Sequence, residues 1–360
     1  MNDSLEFSSR RERLLPVLTE ARAHAFLVTA LPNVRYLSGF TGSNAALLLT
    51  PERSVLFTDP RYAAQAPQET DCEVKVAKAA LTSELSKWTT RLQIRSLAFE
   101  QNRISFDAYQ HLKESAKDIR LKPVSGAVEK LRMVKSPSEI DAIRASVELN
   151  SEALRLALDR FKPFMSEADL AAEIEYRMRR LGADKPAFET IVASGRHAAL
   201  PHAHPTNALI QGDQLLLIDM GANVAGYASD MTRTYVVGKP TRKARQMYGA
   251  VLESQLAAID AVRPGVSCTA VDRAAREILR KHGMDKLFVH STGHGLGLEI
   301  HESPRVGRKD KTKLEAGMAI TIEPGVYAED SGGVRIEDTV VVTANGCEVL
   351  TPTEKSLTIL

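Results

Sequence analysis

The sequence predicts an α+β protein of two domains, an α/β domain followed by a domain of long helices and strand-rich sequence. Three observations predict this organisation: helix-like and strand-like segments alternate from residue 5 to about 133, a helix-start signal follows at Ser136, and strand-rich sequence begins at Phe188. With 360 residues, of which 44% are hydrophobic, the chain can build two ordinary domains with sizeable cores. We therefore expect one domain over residues 1–133 and the other over residues 134–360.

The first domain is predicted to combine an amphipathic helix with short buried strands. Residues 6–23 are rich in charge and place Leu14, Leu15 and Leu18 at helical spacing. Apolar runs typical of buried strands follow at 25–29, 45–50, 54–58 and 96–100. Residues 51–53 are expected to join the second and third runs as a hairpin turn.

The second domain is predicted to open with long helices. Ser136 can cap the first of them, Pro137 suits its first turn, and Glu139 completes a capping box three residues after Ser136. We expect helices over about 137–160 and 166–182, before the strand-rich part begins.

Charge and composition argue against several classes of protein. Lys and Arg total 47 against 45 Asp and Glu, so a net charge of +2 provides no general attraction for nucleic acid or an acidic membrane. Residues 1–13 lack the apolar stretch of a secretory signal, and no run of about 18 apolar residues suggests a membrane span. Cys72, Cys268 and Cys347 have no C-x-x-C spacing, so we expect reduced thiols in a cytoplasmic protein.

The first chemically informative segment is a pair of β-rich runs over 214–237, separated by a turn region from Gly221 to Gly226. A hairpin symmetric about the Val224–Ala225 bond would set Asp219 opposite Asp230, with Cβ atoms about 5 Å apart. Two carboxylates so placed repel each other unless a proton or a cation lies between them. Taken alone, such a pair is also compatible with chance placement at the end of a sheet.

A second acidic pair follows the same arrangement near residue 330. Apolar runs at 319–327 and 333–342 flank a turn-rich stretch, and a hairpin centred on Asp330 sets Glu323 against Glu337. Each carboxylate ends an apolar run, where an unpaired charge is costly. Two independent hairpins that each present an acidic pair favour a metal site.

Between the two hairpins lies a glycine-rich stretch that carries His294. Glycines at 293, 295 and 297 allow the backbone to approach a neighbour closely, but their spacing is not the G-x-G-x-x-G of dinucleotide sites, and no G-K-[ST] loop is present. A histidine here can reach a metal, or can be a turn residue bonded to the backbone. We favour the metal in view of the two acidic pairs.

Four carboxylates and one imidazole suit two divalent ions better than one, because four negative ligands balance two +2 charges. Oxygen-rich ligation with one imidazole favours Mn²⁺, Co²⁺ or Fe²⁺, and also accommodates Zn²⁺. A two-metal centre lowers the pKa of a water between the ions and polarises a carbonyl, so we expect hydrolysis. The candidate ligands are Asp219, Asp230, His294, Glu323 and Glu337.

The motifs around these residues resemble those of the Xaa-Pro aminopeptidase and prolidase branch of the pita-bread (M24) metallopeptidases. The resemblance extends to the first domain through 33–43 and 57–62, and so covers essentially the whole chain. It implies a creatinase/prolidase-like first domain and a pita-bread catalytic domain with two pseudo-symmetric halves. The five motifs, in order, are LIDMG at 217–221, SDMTRT at 229–234, TGHGLG at 292–297, TIEPG at 321–325 and VRIED at 334–338.

The resemblance also implies a role for each ligand. Asp219 would bind one ion, Asp230 and Glu337 would bridge both ions, and His294 and Glu323 would complete the other. Mn²⁺ is the ion expected first. Glu323 is also expected to orient or deprotonate the water between the ions.

Three further residues match positions near the metals in the family. His202 and His301 correspond to histidines that contact substrate and transition state, and Arg335 could brace the anionic ligands. His197 and His204 lie near His202 and are given no role. The remaining histidines have no motif around them and are predicted to be structural: His24, His111, His282 and His290.

The resemblance further implies hydrolysis of the peptide bond before proline, by a homodimer in which the first domain helps to wall the partner's active site. Chain length and residues 36–43 favour an aminopeptidase acting on Xaa-Pro-peptides, with a dipeptidase (prolidase) acting on Xaa-Pro as the alternative. Methionine aminopeptidases share the ligand pattern but usually lack such a first domain, and creatinase-like enzymes lack the metal set. A non-enzymatic peptide-binding module is a more remote alternative, since relatives of that kind typically lose ligands.

Overall fold

The structure is a computed structural model that describes residues 3–78, 81–162 and 164–360. The chain divides into two compact units, Met1–Arg132 and Met133–Leu360, which we call the first unit and the second unit. Among the described residues, no helix combines the length and the apolar character that a membrane span requires.

The first unit is an α/β domain built on one mixed sheet of order β4-β3-β2-β1-β5-β6. The central strands β1, β2 and β3 pair antiparallel, whereas β4, β5 and β6 join in parallel. Its strands are β1 (Ala25–Val28), β2 (Ala45–Leu49), β3 (Ser54–Thr58), β4 (Glu73–Val76), β5 (Ser96–Glu100) and β6 (Arg120–Val124). Its helices are α1 (Asp3–Leu14), α2 (Pro16–Ala21), α3 (Leu31–Ser38), α4 (Ala66–Glu69), α5 (Leu81–Arg91), α6 (Phe106–Ser115) and α7 (Ala127–Met133).

The four strands that the sequence predicts in this unit are present, and the turn at 51–53 closes with the Thr50 amide donating to the Arg53 carbonyl. The predicted helix over 6–23 is instead two helices, α1 and α2. Pro16 separates them because a proline has no amide hydrogen to continue the helix and opens the next one at its first position.

The second unit contains two helix pairs and two long hairpins. Helix α8 packs along α9 and α10 along α11, and each pair precedes one hairpin, so the unit has the two α/β halves that the sequence predicts. Its helices are α8 (Pro137–Leu158), α9 (Glu167–Leu181), α10 (Arg242–Asp260) and α11 (Cys268–Lys281). Capping boxes at Ser136 and Ser166 start the first two of these helices.

The strands of the second unit form four small sheets, of orders β11-β10-β7, β12-β9-β8, β14-β13-β15-β18-β19 and β16-β17. An apolar cluster of residues from α10, α11 and the second hairpin, including Val251, Leu279 and Ile320, forms a large part of the core. The strands are β7 (Lys185–Pro186), β8 (Ile191–Ser194), β9 (Gln214–Met220), β10 (Ala222–Val224), β11 (Tyr227–Ala228), β12 (Met231–Val237), β13 (Gly293–Gly295), β14 (Glu302–Val306), β15 (Ala319–Ile322), β16 (Gly325–Ala328), β17 (Gly332–Arg335), β18 (Asp338–Val342) and β19 (Cys347–Val349).

The register of the first hairpin differs from the sequence prediction by two residues. Asp219 pairs with Thr232 rather than with Asp230. The turn is made by Ala225 and Gly226, which both have positive φ (49° and 83°), as a two-residue hairpin turn of type I′ requires. Because a shift of two keeps every side chain on its face, Asp219 and Asp230 remain on one face as diagonal neighbours.

The second hairpin has the predicted register. Strands β15 and β18 pair Ile322 with Asp338, and β16 and β17 pair Gly325 with Arg335. Both pairings are symmetric about Asp330, so Glu323 and Glu337 lie opposite each other at the break between the two strand pairs.

Candidate metal centre

The four acidic residues lie at or beside strand ends of the two hairpins. Asp219 is the next-to-last residue of β9, Asp230 comes directly before β12, Glu323 directly after β15, and Glu337 directly before β18. At these positions the side chains leave the regular ladders and point to a common place. Two of them are nearly inaccessible to solvent, with Asp230 exposed by 5% and Glu337 by 2%.

His294 joins these carboxylates from β13, between two glycines that allow close packing. A Cβ atom at Gly293 would collide with the Thr321 carbonyl, and one at Gly295 with the Ser303 carbonyl. The His294 Nε2 atom lies 3.4 Å from the Asp230 Oδ2 atom and 3.5 Å from the Glu323 Oε1 atom. Ligand atoms of Asp230, His294 and Glu337 all lie within 4.8 Å of one another.

The electrostatics of this cluster indicate that positive charge belongs between the carboxylates. Burial, together with the neighbouring carboxylates, raises the pKa of Asp230 to about 6 and that of Glu323 to about 7. Burial and the same neighbours raise the pKa of Glu337 well above its ordinary value. Burial alone would lower the pKa of His294, but its hydrogen bond to Asp230 and the charge of Glu323 raise it to about 9.

Asp219 provides the clearest sign that the donor set suits metal ions. One of its oxygens accepts a hydrogen bond from Arg335, whereas its Oδ1 atom is buried with no hydrogen-bond partner among the described residues. A buried carboxylate oxygen without a donor is costly unless a cation contacts it. Oxygen ligands from four carboxylates with one imidazole fit divalent ions such as Mn²⁺.

Arg335 connects several parts of this centre. Besides Asp219, its guanidinium donates to the Thr232 hydroxyl (3.0 Å), the Tyr327 hydroxyl (2.6 Å) and the Pro201 carbonyl (3.2 Å). The Thr232 hydroxyl in turn donates to the Glu337 Oε2 atom at 2.6 Å. Arg335 thereby orients the Asp219 carboxylate directly, and it contacts Thr232, which orients the Glu337 carboxylate.

Both histidines singled out by the sequence lie beside this cluster and are exposed. The His301 ring packs edge-on against the His294 ring, with centroids 4.4 Å apart. His202 follows Pro201, whose carbonyl accepts a hydrogen bond from Arg335, and it lies near enough to His290 and His301 to interact electrostatically with both rings. The structure therefore brings the nominated ligands, Arg335 and both histidines into one site.

Two residues of the site have no role in the sequence prediction, His290 and Tyr327. The His290 Nδ1 atom bonds to the Ser291 carbonyl and so carries the proton, which leaves Nε2 to accept from the Tyr327 hydroxyl at 2.8 Å. Burial lowers the pKa of His290 to about 4, so the ring is neutral at pH 7. Nδ1 lies 4.0 Å from the Glu323 Oε2 atom, so the prediction of a purely structural His290 overlooked its contact with the site.

The sequence contained one signal for His290. It stands four residues before His294, in the same short segment of the sequence. Tyr327 carries no comparable signal, because it reads as an ordinary aromatic residue of an apolar strand.

The chain matches two described families in succession. Residues 141–344 match Metallopeptidase family M24, and residues 10–134 match the Creatinase/Prolidase N-terminal domain. The chain is 37% identical to the Xaa-Pro dipeptidase of Pyrococcus horikoshii over 348 aligned residues. The alignment covers 96% of this chain and 97% of that protein. An uncharacterized peptidase of Bacillus subtilis is also 37% identical, in an alignment that covers 97% of this chain and 99% of that peptidase.

Solved structures agree with this assignment along nearly the whole chain. A structure described as an Xaa-Pro dipeptidase from Bacillus anthracis superposes with a TM-score of 0.96 at 37% identity, covering 98% of this chain and 100% of that one. An X-Pro aminopeptidase from Thermotoga maritima gives a TM-score of 0.91 at 35% identity, with the same coverage. The ligand motifs, the two-unit fold and these matches lead to one conclusion: the chain belongs to metallopeptidase family M24.

Proposed function

We propose that this protein is a metal-dependent Xaa-Pro dipeptidase, which hydrolyses the bond before proline in a dipeptide. The observation that carries the proposal is the convergence of four carboxylates and His294, with two exposed histidines beside them. The relatives named above include Xaa-Pro dipeptidases at 37% identity over almost the full chain, and these favour the dipeptidase over the aminopeptidase that the sequence alone suggested. The likeness to an X-Pro aminopeptidase structure keeps that activity as the second candidate.

The residues that would hold two divalent ions are the five predicted ligands, and Mn²⁺ is the ion we propose first. Asp219 would bind one ion, His294 and Glu323 the other, and Asp230 and Glu337 both. Such ions, when bound, acidify a water and polarise the substrate carbonyl. Charge balance supports a pair of ions, since four carboxylates in this small space otherwise repel one another.

The remaining side chains would bind and orient the substrate. Glu323, beside His294 in the cluster, would orient the attacking water or accept its proton. His202 and His301, exposed beside the ligands, would contact the carbonyl of the scissile bond and the charge that develops on it. Arg335 would keep Asp219 and the Pro201 carbonyl in place.

Arg305 is our candidate for recognising the free carboxylate of a dipeptide. It lies directly across from His294 in the β13–β14 pair, which puts the two side chains on the same face of the sheet. Burial is the main cause of the lowered pKa of His301, and the charge of Arg305 adds to it, as expected of a cation near that ring. In an Xaa-Pro dipeptide the proline after the scissile bond carries the free carboxylate. A guanidinium in this place would suit that carboxylate.

The test is hydrolysis of Ala-Pro and Ala-Pro-Ala by metal-stripped protein, with and without added Mn²⁺. We expect cleavage of the dipeptide only when metal is present, and no cleavage by Glu337→Gln under the same conditions. Arg305→Met should raise KM for Ala-Pro more than it lowers kcat, because it removes a binding contact.

Other outcomes would revise the proposal in different ways. Metal-dependent cleavage of Ala-Pro-Ala with little activity on Ala-Pro would establish the aminopeptidase instead. Failure to cleave either peptide with any divalent ion would contradict hydrolysis before proline altogether.

A further inference from the structure

Glu167 contacts both ends of the loop formed by residues 194–206, which carries His202. Glu167 belongs to none of the sequence motifs. It is the first residue of helix α9 and is 0% exposed. Its Oε1 atom accepts hydrogen bonds from the Ser194 amide (2.7 Å) and hydroxyl (2.9 Å), at one end of the loop. Its Oε2 atom accepts from the Thr206 amide (3.1 Å) and hydroxyl (2.7 Å), at the other end of the loop.

A fifth hydrogen bond to Glu167 comes from within the loop itself. The His197 Nδ1 atom lies 2.8 Å from the Glu167 Oε2 atom and donates to it, because a carboxylate only accepts. Burial alone would raise the pKa of Glu167, but the hydrogen bonds from Thr206, Ser194 and His197 lower it below its ordinary value. The carboxylate is therefore ionised at neutral pH, and charge-assisted hydrogen bonds of this kind are stronger than neutral ones.

The opposite side of the same loop packs against the second hairpin. A Cβ atom at Gly332 would collide with the Gly195 carbonyl, and one at Gly333 with the Ala198 carbonyl. Arg335 donates to the Pro201 carbonyl one residue before His202. The loop is thus held between helix α9 and the hairpin that carries two of the candidate ligands.

We propose that Glu167 is a positioning residue that acts through His202. Without its carboxylate, both ends of the 194–206 loop lose their anchor and His202 no longer stays beside the ligand cluster. Glu167 contacts none of the candidate metal ligands, so the metal site itself should remain intact. This inference rests on the proposed function, since it presumes that His202 contacts the substrate.

The decisive experiment is a double-mutant cycle on kcat for Ala-Pro, with Glu167→Gln, His202→Ala and the double variant. We expect Glu167→Gln to lower kcat by about 10- to 100-fold, the scale at which a misplaced catalytic contact acts, with unchanged bound Mn²⁺ per chain. In the His202→Ala background the same change should have an effect within about twofold. Losses that multiply in the double variant would show that Glu167 does not act through His202.

Two further variants separate positioning from a general loss of folding. Glu173→Gln is the matched control and should keep full kcat. Glu173 lies on the same helix, and among the described residues its carboxylate pairs only with the nearby Arg177. His197→Ala should lower kcat, and His197→Asn, which retains an N–H donor at the position of Nδ1, should restore most of it. Equal losses in the two His197 variants would overturn the assignment of that hydrogen bond.

Amide hydrogen exchange tests the anchoring independently of any activity. In Glu167→Gln, amides of residues 195–206 should exchange at least about tenfold faster, while those of helix α10 stay unchanged. Unchanged exchange in the loop would overturn the proposal even if kcat fell. If the wild-type protein cleaved no Xaa-Pro peptide while the loop still loosened, the proposed function would fail and the anchoring would stand.

Discussion

At the scale of single residues, the site concentrates negative charge that metal ions or protons must balance. Asp230, Glu323 and Glu337 have raised pKa values because they are buried beside one another, and His294 has a raised pKa because it faces them. Without metal, protons must occupy part of this cluster near neutral pH. Metal ions and protons therefore compete for the same oxygens.

This competition predicts that metal binding releases protons. At pH 6, below the pKa of Glu323 at about 7 and near that of Asp230 at about 6, the metal-free centre retains protons that a divalent ion must displace. Affinity for Mn²⁺ should therefore fall as the pH falls. Calorimetric titration of metal-stripped protein at pH 6, in two buffers of different ionisation enthalpy, should show release of at least about one proton per chain. Equal heats in the two buffers would contradict the assignment of these carboxylates as ligands.

The sequence nominated all the candidate ligands and Arg335, but it missed other residues that contact or support the site. Each ligand stands in a short motif whose residue types suit the chemistry, whereas Tyr327 and Glu167 act through tertiary contacts with residues distant in sequence. Glu167 also has a plain local explanation, since acidic residues are favoured in the first turn of a helix. A single sequence could not reveal that its carboxylate reaches Ser194 and Thr206.

At the scale of secondary-structure elements, the two hairpins show when a sequence pattern can predict the register of paired strands and when it cannot. The second hairpin turns through residues 329–331, which are centred on Asp330, and its register was predicted correctly. The first hairpin turns at Ala225 and Gly226, and an alanine with φ of 49° is not a residue that pattern rules place there. The error moved the pairing by two residues but kept both aspartates on one face, so the inference of a shared site survived it.

The same turn leads to a prediction for stability. A left-handed conformation costs a non-glycine residue about 1–2 kcal/mol, whereas glycine loses about 0.5–1 kcal/mol more backbone entropy on folding. Ala225→Gly should therefore raise the free energy of unfolding by about 0.5–1 kcal/mol, as the balance of those two effects. Denaturant unfolding of the metal-free protein would measure it.

A matched control for this prediction lies on the adjacent strand. Ala228 is buried in β11 and has no positive φ, so Ala228→Gly should lower the free energy of unfolding instead. If both glycine variants lost stability to the same extent, the positive φ of Ala225 would not be a source of strain, and the prediction would be wrong.

At the scale of the whole molecule, the candidate ligands connect distant parts of the second unit. They come from β9, the start of β12, β13, the end of β15 and the start of β18, which belong to both halves of the fold. The resemblance to known motifs made this assembly predictable, since composition and periodicity alone do not bring five separated segments together. Metal bound to them would link the two hairpins and His294 in the folded state only.

Metal should consequently raise the thermal stability of the protein. An ion present at 100 times its dissociation constant stabilises the folded state by about 2.7 kcal/mol, if it binds only that state. For a domain of roughly 150–250 residues this corresponds to a rise in Tm of about 5–11 °C, measurable by calorimetry of metal-stripped protein with and without Mn²⁺. Glu337→Gln should abolish the rise without lowering the Tm of the metal-free protein, because glutamine resembles the protonated carboxyl that burial already favours and can still accept from the Thr232 hydroxyl. An equal rise in wild type and Glu337→Gln would show that the stabilising ion binds elsewhere on the chain.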